Sequence, residues 1–192
     1  MRASPDASAF SLKHFSRLGG PAAVRQAISR LVKAGKIRRI RRGLYDLPRQ
    51  HPILGQTAPD ITATVRALMD KSQAQWQFSG AYAANTLGLS DQVPAKIVIL
   101  TNGVPRRVSL GKLTLAFRRA SPRNLLGAGS TSGLVIQAIR HLRKDSDLPR
   151  RIAQLKKTLD ASTKKDLKLF MFPLCGASKV KTPASRNILK YF

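Results

Sequence analysis

Three places in this sequence carry residue types that could do chemistry. Residues 127–133 read GAGSTSG ahead of a helical pattern, the composition of a phosphate-cradling loop. A P-loop needs G-x-x-x-x-G-K-[ST], and here Leu134 stands where the lysine belongs. A dinucleotide fingerprint needs G-x-G-x-x-G, and this run has one residue too many. Helix capping by Thr131 or Ser132 explains it better. All nine acids are Asp, and only Asp145 and Asp147 are near neighbours. Metal-assisted phosphoryl chemistry wants two or three clustered carboxylates. The solitary Cys175 has Gly176 beside it and no neighbouring His, a poor setting for a nucleophile. It also leaves no disulfide framework and no cysteine-built zinc site, and His14, His51 and His141 are scattered. The sequence therefore predicts a binding protein rather than an enzyme, with no catalytic residues, metal or cofactor.

The binding chemistry is cationic. Residues 36–43, KIRRIRRG, hold five basic residues in eight. The 192-residue chain has a net charge of +26, and its pI is about 11.7. Self-repulsion on that scale predicts a polyanionic partner, nucleic acid before an anionic membrane surface. The charge falls in blocks: +10 over residues 1–50, −1 over 51–95, +7 over 96–123 and +10 over 124–192. No apolar run approaches the roughly 20 residues of a membrane span. The start, MRASPDASAF, lacks the apolar core of a signal peptide. A cytoplasmic protein without a membrane partner is expected.

Local elements must position these cations. The sequence predicts a short helix over 10–18, a Gly19-Gly20 break, and a second helix over 21–34 that Pro21 opens. Val24, Ala27, Ile28 and Leu31 form its buried stripe, and Gly35 closes it. Arg25, Gln26, Ser29, Arg30 and Lys33 lie on the opposite face. Two strands follow, 36–41 and 44–47, around Arg42-Gly43. Tyr45 and Leu47 share a face by period two, whereas Ile37 and Ile40 do not, which requires a bulge or a late strand start. Helix, tight turn, helix and basic hairpin is the order of a winged helix-turn-helix. Arg and Gln on the helix can pair with guanine and adenine edges in a major groove. Arg38, Arg39, Arg41 and Arg42, with Lys36 beside them, would grip phosphates or enter the adjacent minor groove. Only nine residues precede Phe10, so a first scaffold helix is short or missing.

Pro48, Pro52 and Pro59 punctuate a segment without period, which predicts a DNA-binding domain over 1–48, a linker over 49–59 and a second domain over 60–192. The second domain reads as a helix over 60–71, capped by Thr57 or Asp60, a strand at 75–78 and a helix at 80–87. Strands at 96–101, 104–110 and 113–119 follow, turned at Asn102-Gly103 and Gly111-Lys112. Three helical stripes come next: Val135, Ala138, Ile139 and Leu142; Leu148, Ile152, Leu155 and Leu159, capped by Asp147; and Leu167, Phe170 and Met171 before Pro173. The fold class is α/β (α+β), with a small antiparallel sheet and several helices. Arg106, Arg107, Lys112, Arg118 and Arg119 offer a second basic surface, suited to RNA or equally to a charge-protected sheet edge. Lys156, Lys157, Lys164 and Lys165 fit a solvated helix face. The last twenty residues are basic and without clear period.

Three segments together resemble the AbiEi-type antitoxins of bacterial type IV toxin–antitoxin systems: AVRQAISRLVKAGKIRRIRRGLYDLP within residues 15–48, SGAYAANTLGLSDQVP followed by KIVILTNG, and GLVIQAIRHL at 133–142. The likeness spans about residues 10–168. It implies a winged-helix domain joined to a larger C-terminal domain. It also implies a repressor that binds an inverted repeat in its own operator. Its family counters a nucleotidyltransferase toxin without needing a stable complex. The competing expectation is a general basic RNA- or ribosome-associated protein, in which charge rather than base readout decides.

Overall fold

The chain divides into two compact units, Met1–Gln73 and Ala74–Phe192. A computed structural model describes residues 9–53, 55–70, 73–111 and 113–176, with side chains as far as residue 170. The irregular tail expected at the C-terminus and the turn residue Lys112 fall outside these residues.

The first unit is built on a three-stranded antiparallel sheet. Strands β1 (Ala9–Ser11), β2 (Arg38–Arg41) and β3 (Leu44–Asp46) lie in the order β1-β3-β2. A 3-10 turn over Leu12–Phe15 and helix α1 (Pro21–Lys33) connect β1 to β2. The helix expected over 10–18 is therefore a strand followed by a single tight turn. Its period is two: Phe10 and Tyr45 are paired on one face, where Phe10 packs with Ile28, Ile37, Val24 and Val32. Ala9 and Leu44 face the other way, onto Ala63 and Ala67 of helix α2 (Ile61–Met69). With α1 on one side and α2 on the other, both faces of this small sheet are covered. That explains Ile37 and Ile40. The strand does begin late and its register shifts between Arg39 and Arg41, yet Ile37 joins the α1 cluster and Ile40 the α2 cluster.

Helix α1 buries less than its pattern predicts. Ile28 is buried with Val24 and Val32 beside it, spaced four apart along one ridge, while Ala27 is exposed and Leu31 is 38% exposed. Its C-terminus is a Schellman motif: the Lys36 N–H donates to the Leu31 carbonyl and the Gly35 N–H to Val32, both at 3.0 Å. Gly35 takes φ +67°, a left-handed turn that suits glycine.

The proline-punctuated segment belongs to the first unit and does not separate two domains. It folds into a minimal hairpin, β4 (Gln50–His51) and β5 (Gly55–Gln56), and leads into α2, which closes the open face of the sheet. The boundary thus moves to residue 73 because Ala9 and Leu44 need α2 as cover. Asp60 caps that helix, accepting the Ala63 N–H at 2.9 Å. Asp60→Ala is expected to cost about 1 kcal/mol, read as a lowered urea midpoint.

The second unit has a four-stranded sheet of β6 (Trp76–Ser79), β7 (Lys96–Thr101), β8 (Arg106–Leu110) and β9 (Leu113–Arg119), in the order β6-β7-β9-β8. Two pairings are antiparallel, and the central β7–β9 pairing is parallel. Asn102-Gly103 is therefore not a hairpin turn. The chain leaves β7, steps over the place that β9 will fill, and returns along β8. Four residues, 102–105, can span the roughly 10 Å of two strand spacings; a two-residue turn cannot. Thr101 holds the departure, its hydroxyl donating to the Gln75 carbonyl and accepting the Gly103 N–H.

Helices α3 (Gly80–Thr86), α4 (Thr131–Leu142), α5 (Leu148–Thr158) and α6 (Ala161–Gly176) share one core. Val135, Ala138, Ile139, Ile152 and Leu155 lie inside it, as their spacing predicts. The cap of α4 is Ser130, whose hydroxyl accepts the Gly133 N–H, rather than Thr131 or Ser132. Asp147 precedes α5, but its carboxylate makes no cap. The stop expected at Pro173 falls within α6.

Candidate nucleic-acid interface

On α1, Arg25, Gln26, Ser29, Arg30 and Lys33 are all exposed, with Gln26, Arg30 and Lys33 on the side away from the Val24–Ile28 ridge. The thirteen-residue helix is about 20 Å long, enough to lie in a major groove. It has no acidic residue in its first turn, and Arg30 and Lys33 occupy its last.

The hairpin after it splits its arginines by pleat. Arg38 pairs directly across from Asp46 and is drawn inward. Its Nε and Nη2 meet the two carboxylate oxygens at 3.0 and 2.5 Å, and its Nη1 donates to the Thr57 carbonyl at 2.8 Å. Asp46 is 1% exposed, so this bidentate pair is structural. Arg38 leaves the set expected to hold phosphates. Arg39, Arg41 and Arg42 remain exposed, as does Lys36. Arg39 stands opposite Tyr45, on the face that carries α1.

The second unit gathers the other basic set around a hollow of about 390 Å³. Arg106, Arg107, Arg118 and Arg119 line it, with Lys96, Ala116, Phe117 and Pro105. Lys96 was not foreseen, although period two along KIVILT puts it on the same face as Val98 and Leu100. The Arg106 guanidinium lies 4.9 Å from the centre of the Phe117 ring. Elsewhere in this unit, burial and then the like charge of Arg123 push the Arg140 guanidinium below its ordinary range. Arg140 donates to the Asn124 side chain at 3.0 Å.

The residues that suggested catalysis have structural work. Asp145 accepts the Asp147 N–H at 2.9 Å, and both carboxylates approach Arg151, at 3.4 and 3.7 Å. The GAGSTSG loop folds on itself: the Ser130 hydroxyl donates to the Gly127 carbonyl, and the Gly129 N–H goes to the buried Gln77. His14 and His141 are exposed. Among the described residues, no three His, Cys, Asp or Glu come together as a metal site. The Cys175 side chain lies outside the described residues. Among those residues, no helix is long and apolar enough to cross a membrane.

A family profile described as a family of unknown function, DUF6088, matches residues 1–167. The chain belongs to the DUF6088 family. The match takes in the whole first unit and every strand of the second, so both basic surfaces lie within the DUF6088 region. Comparison with curated proteins finds no match.

Proposed function

We propose that this DUF6088 protein is a DNA-binding repressor of the antitoxin kind, reading its operator through α1 and holding the backbone through the β2–β3 hairpin. The observation that carries the reading is the five-residue face of Arg25, Gln26, Ser29, Arg30 and Lys33, joined to exposed Arg39, Arg41 and Arg42 with no unpaired acid on either element. The element order supports it too: strand, tight turn, helix and hairpin, with the first strand paired to the last, suits a winged helix. The antitoxin half rests on the resemblance to AbiEi-type proteins. It makes the protein a cytoplasmic antagonist of a nucleotidyltransferase toxin. The exposed cations on both units also suit RNA, which makes a general RNA-binding protein the second reading.

The test is binding of the full chain to the duplex upstream of its own reading frame against a scrambled duplex. Gln26→Ala and Arg30→Ala are expected to lower the preference by about 1–3 kcal/mol each. Arg39→Ala and Arg41→Ala should weaken both duplexes alike and each reduce the salt slope by about one. Equal affinity for both duplexes at physiological salt, or a preference for structured RNA, sinks the DNA reading. Rescue of growth from a co-encoded nucleotidyltransferase toxin tests the antitoxin half.

A further inference from the structure

The hollow on the second unit plays no part in reading bases through α1, yet it is the more built of the two basic surfaces. Strand register puts Lys96, Arg107, Ala116 and Arg118 on one face of the sheet. Ala116 is the floor. Its methyl group keeps the centre of the face low, while Arg107 directly across and Arg118 two residues on stand up as exposed rim. Arg106 and Arg119 belong to the opposite pleat, that of Phe117, and reach the hollow where β8 begins and β9 ends. The helical layer covers this same face over β6, where Gln77 accepts from Gly129 and Ser79 reaches Gln137. Among the described residues, Arg107, Ser109 and Arg118 on the β9–β8 part of that face are exposed. No acid stands in the sequence between Asp91 and Asp145 to offset these charges.

Lys96, Arg107 and Arg118, all exposed on this one face, repel one another unless an anion sits among them. The nature of the anion follows from what the rim lacks. Phe117 is 3% exposed and its ring is partnered by Arg106, so no ring faces outward to stack a base. Single-strand binders rely on such stacking platforms. What remains is charge recognition without base recognition, which fits a phosphodiester backbone.

We propose that this hollow is a second nucleic-acid site, which holds the backbone phosphates of a duplex without regard to sequence. It stands whether or not α1 reads bases.

Fluorescence anisotropy of the full chain with a random-sequence DNA duplex tests it. The variant is Arg107→Gln with Arg118→Gln. The charge-matched control is Lys157→Gln with Lys165→Gln, both exposed on α5 and α6. The sheet pair is expected to weaken binding about tenfold and lower the salt slope by about two, while the control changes binding by no more than about twofold. The ratio of operator to scrambled affinity should stay unchanged in the sheet pair, whereas Gln26→Ala alters that ratio alone; failure of either site is thus seen separately. Equal losses in the sheet and control pairs would mean bulk charge only and overturn the site. Unchanged duplex binding with lost binding of inorganic phosphate, or of phosphatidylglycerol vesicles, would also overturn it. If the double variant does not fold, Lys96→Gln replaces it, with an expected loss of about threefold and a slope change of about one.

Discussion

Gly133→Ala should cost at least about 3 kcal/mol, a fall of roughly 6–12 °C in Tm for a chain of this size. A Cβ at position 133 would lie 2.1 Å from the Gly127 carbonyl oxygen and 2.6 Å from its carbon. Both are backbone atoms, so no side chain can swing away. The loop cannot retreat easily either, because Gly127 is held by the Ser130 hydroxyl and Gly129 by Gln77. Moving them would uncap α4, which carries Val135, Ala138 and Ile139 into the core. Gly129→Ala is the comparison. Its φ is +82°, but nothing lies within 4 Å of its Cβ, so it should lose only about 1–2 kcal/mol. Thermal unfolding of the two variants separates close packing from backbone strain. Equal losses would mean that the Gly127–Gly133 contact is not what the glycines are for.

Arg38→Ala should be the most damaging of the hairpin substitutions, at about 3 kcal/mol, and the damage should be to stability. Removing the guanidinium leaves the Asp46 carboxylate buried and unanswered, and an uncompensated buried charge costs about 3–5 kcal/mol. The lower end applies because the Arg38 side chain is itself 26% exposed. Arg39→Ala, one residue along and exposed, should stay within about 0.5 kcal/mol and show its effect in DNA binding instead. Arg38→Met combined with Asp46→Leu should recover most of the loss, since an apolar pair of similar size often replaces a buried ion pair without penalty. Urea midpoints of the three variants decide the matter. An Arg38→Ala midpoint equal to that of Arg39→Ala would remove the structural role.

The contrast between Arg38 and Arg39 shows where sequence reasoning reached its limit. In KIRRIRRG every arginine looks alike, and composition counts all four toward a phosphate grip. Only the hairpin register turns Arg38 toward Asp46, and that register follows from the two-residue turn at Arg42-Gly43 with the shift after Arg39. A signal was present: Asp46 is one of only two acids in the first fifty residues and stands in a strand. Period and apolar content made strands β7 and β9 legible to the residue, as well as the helical stripes of α4 and α5. They could not reveal that β9 lies between β7 and β8, because strand order depends on contacts far apart in the chain. The first residues of the sheet escaped for a related reason. Ala9, Phe10 and Ser11 carry no alternating pattern, since helices cover both sides of the strand they form.

The interposed strand has a consequence for how the chain is made. Synthesis delivers β7 before β8 and β8 before β9, so one edge of KIVILT has no native neighbour until residue 119 has emerged. At about 5–20 residues per second that interval is roughly one to several seconds. An apolar, acid-free strand with a bare edge is the kind of segment that pairs with its twin on another nascent chain. Lys96 at its head, and the arginines that follow on β8, set like charge against like at any such meeting and serve as gatekeepers. The cations that line the hollow are thus also placed to oppose pairing of the newborn sheet with its own copies.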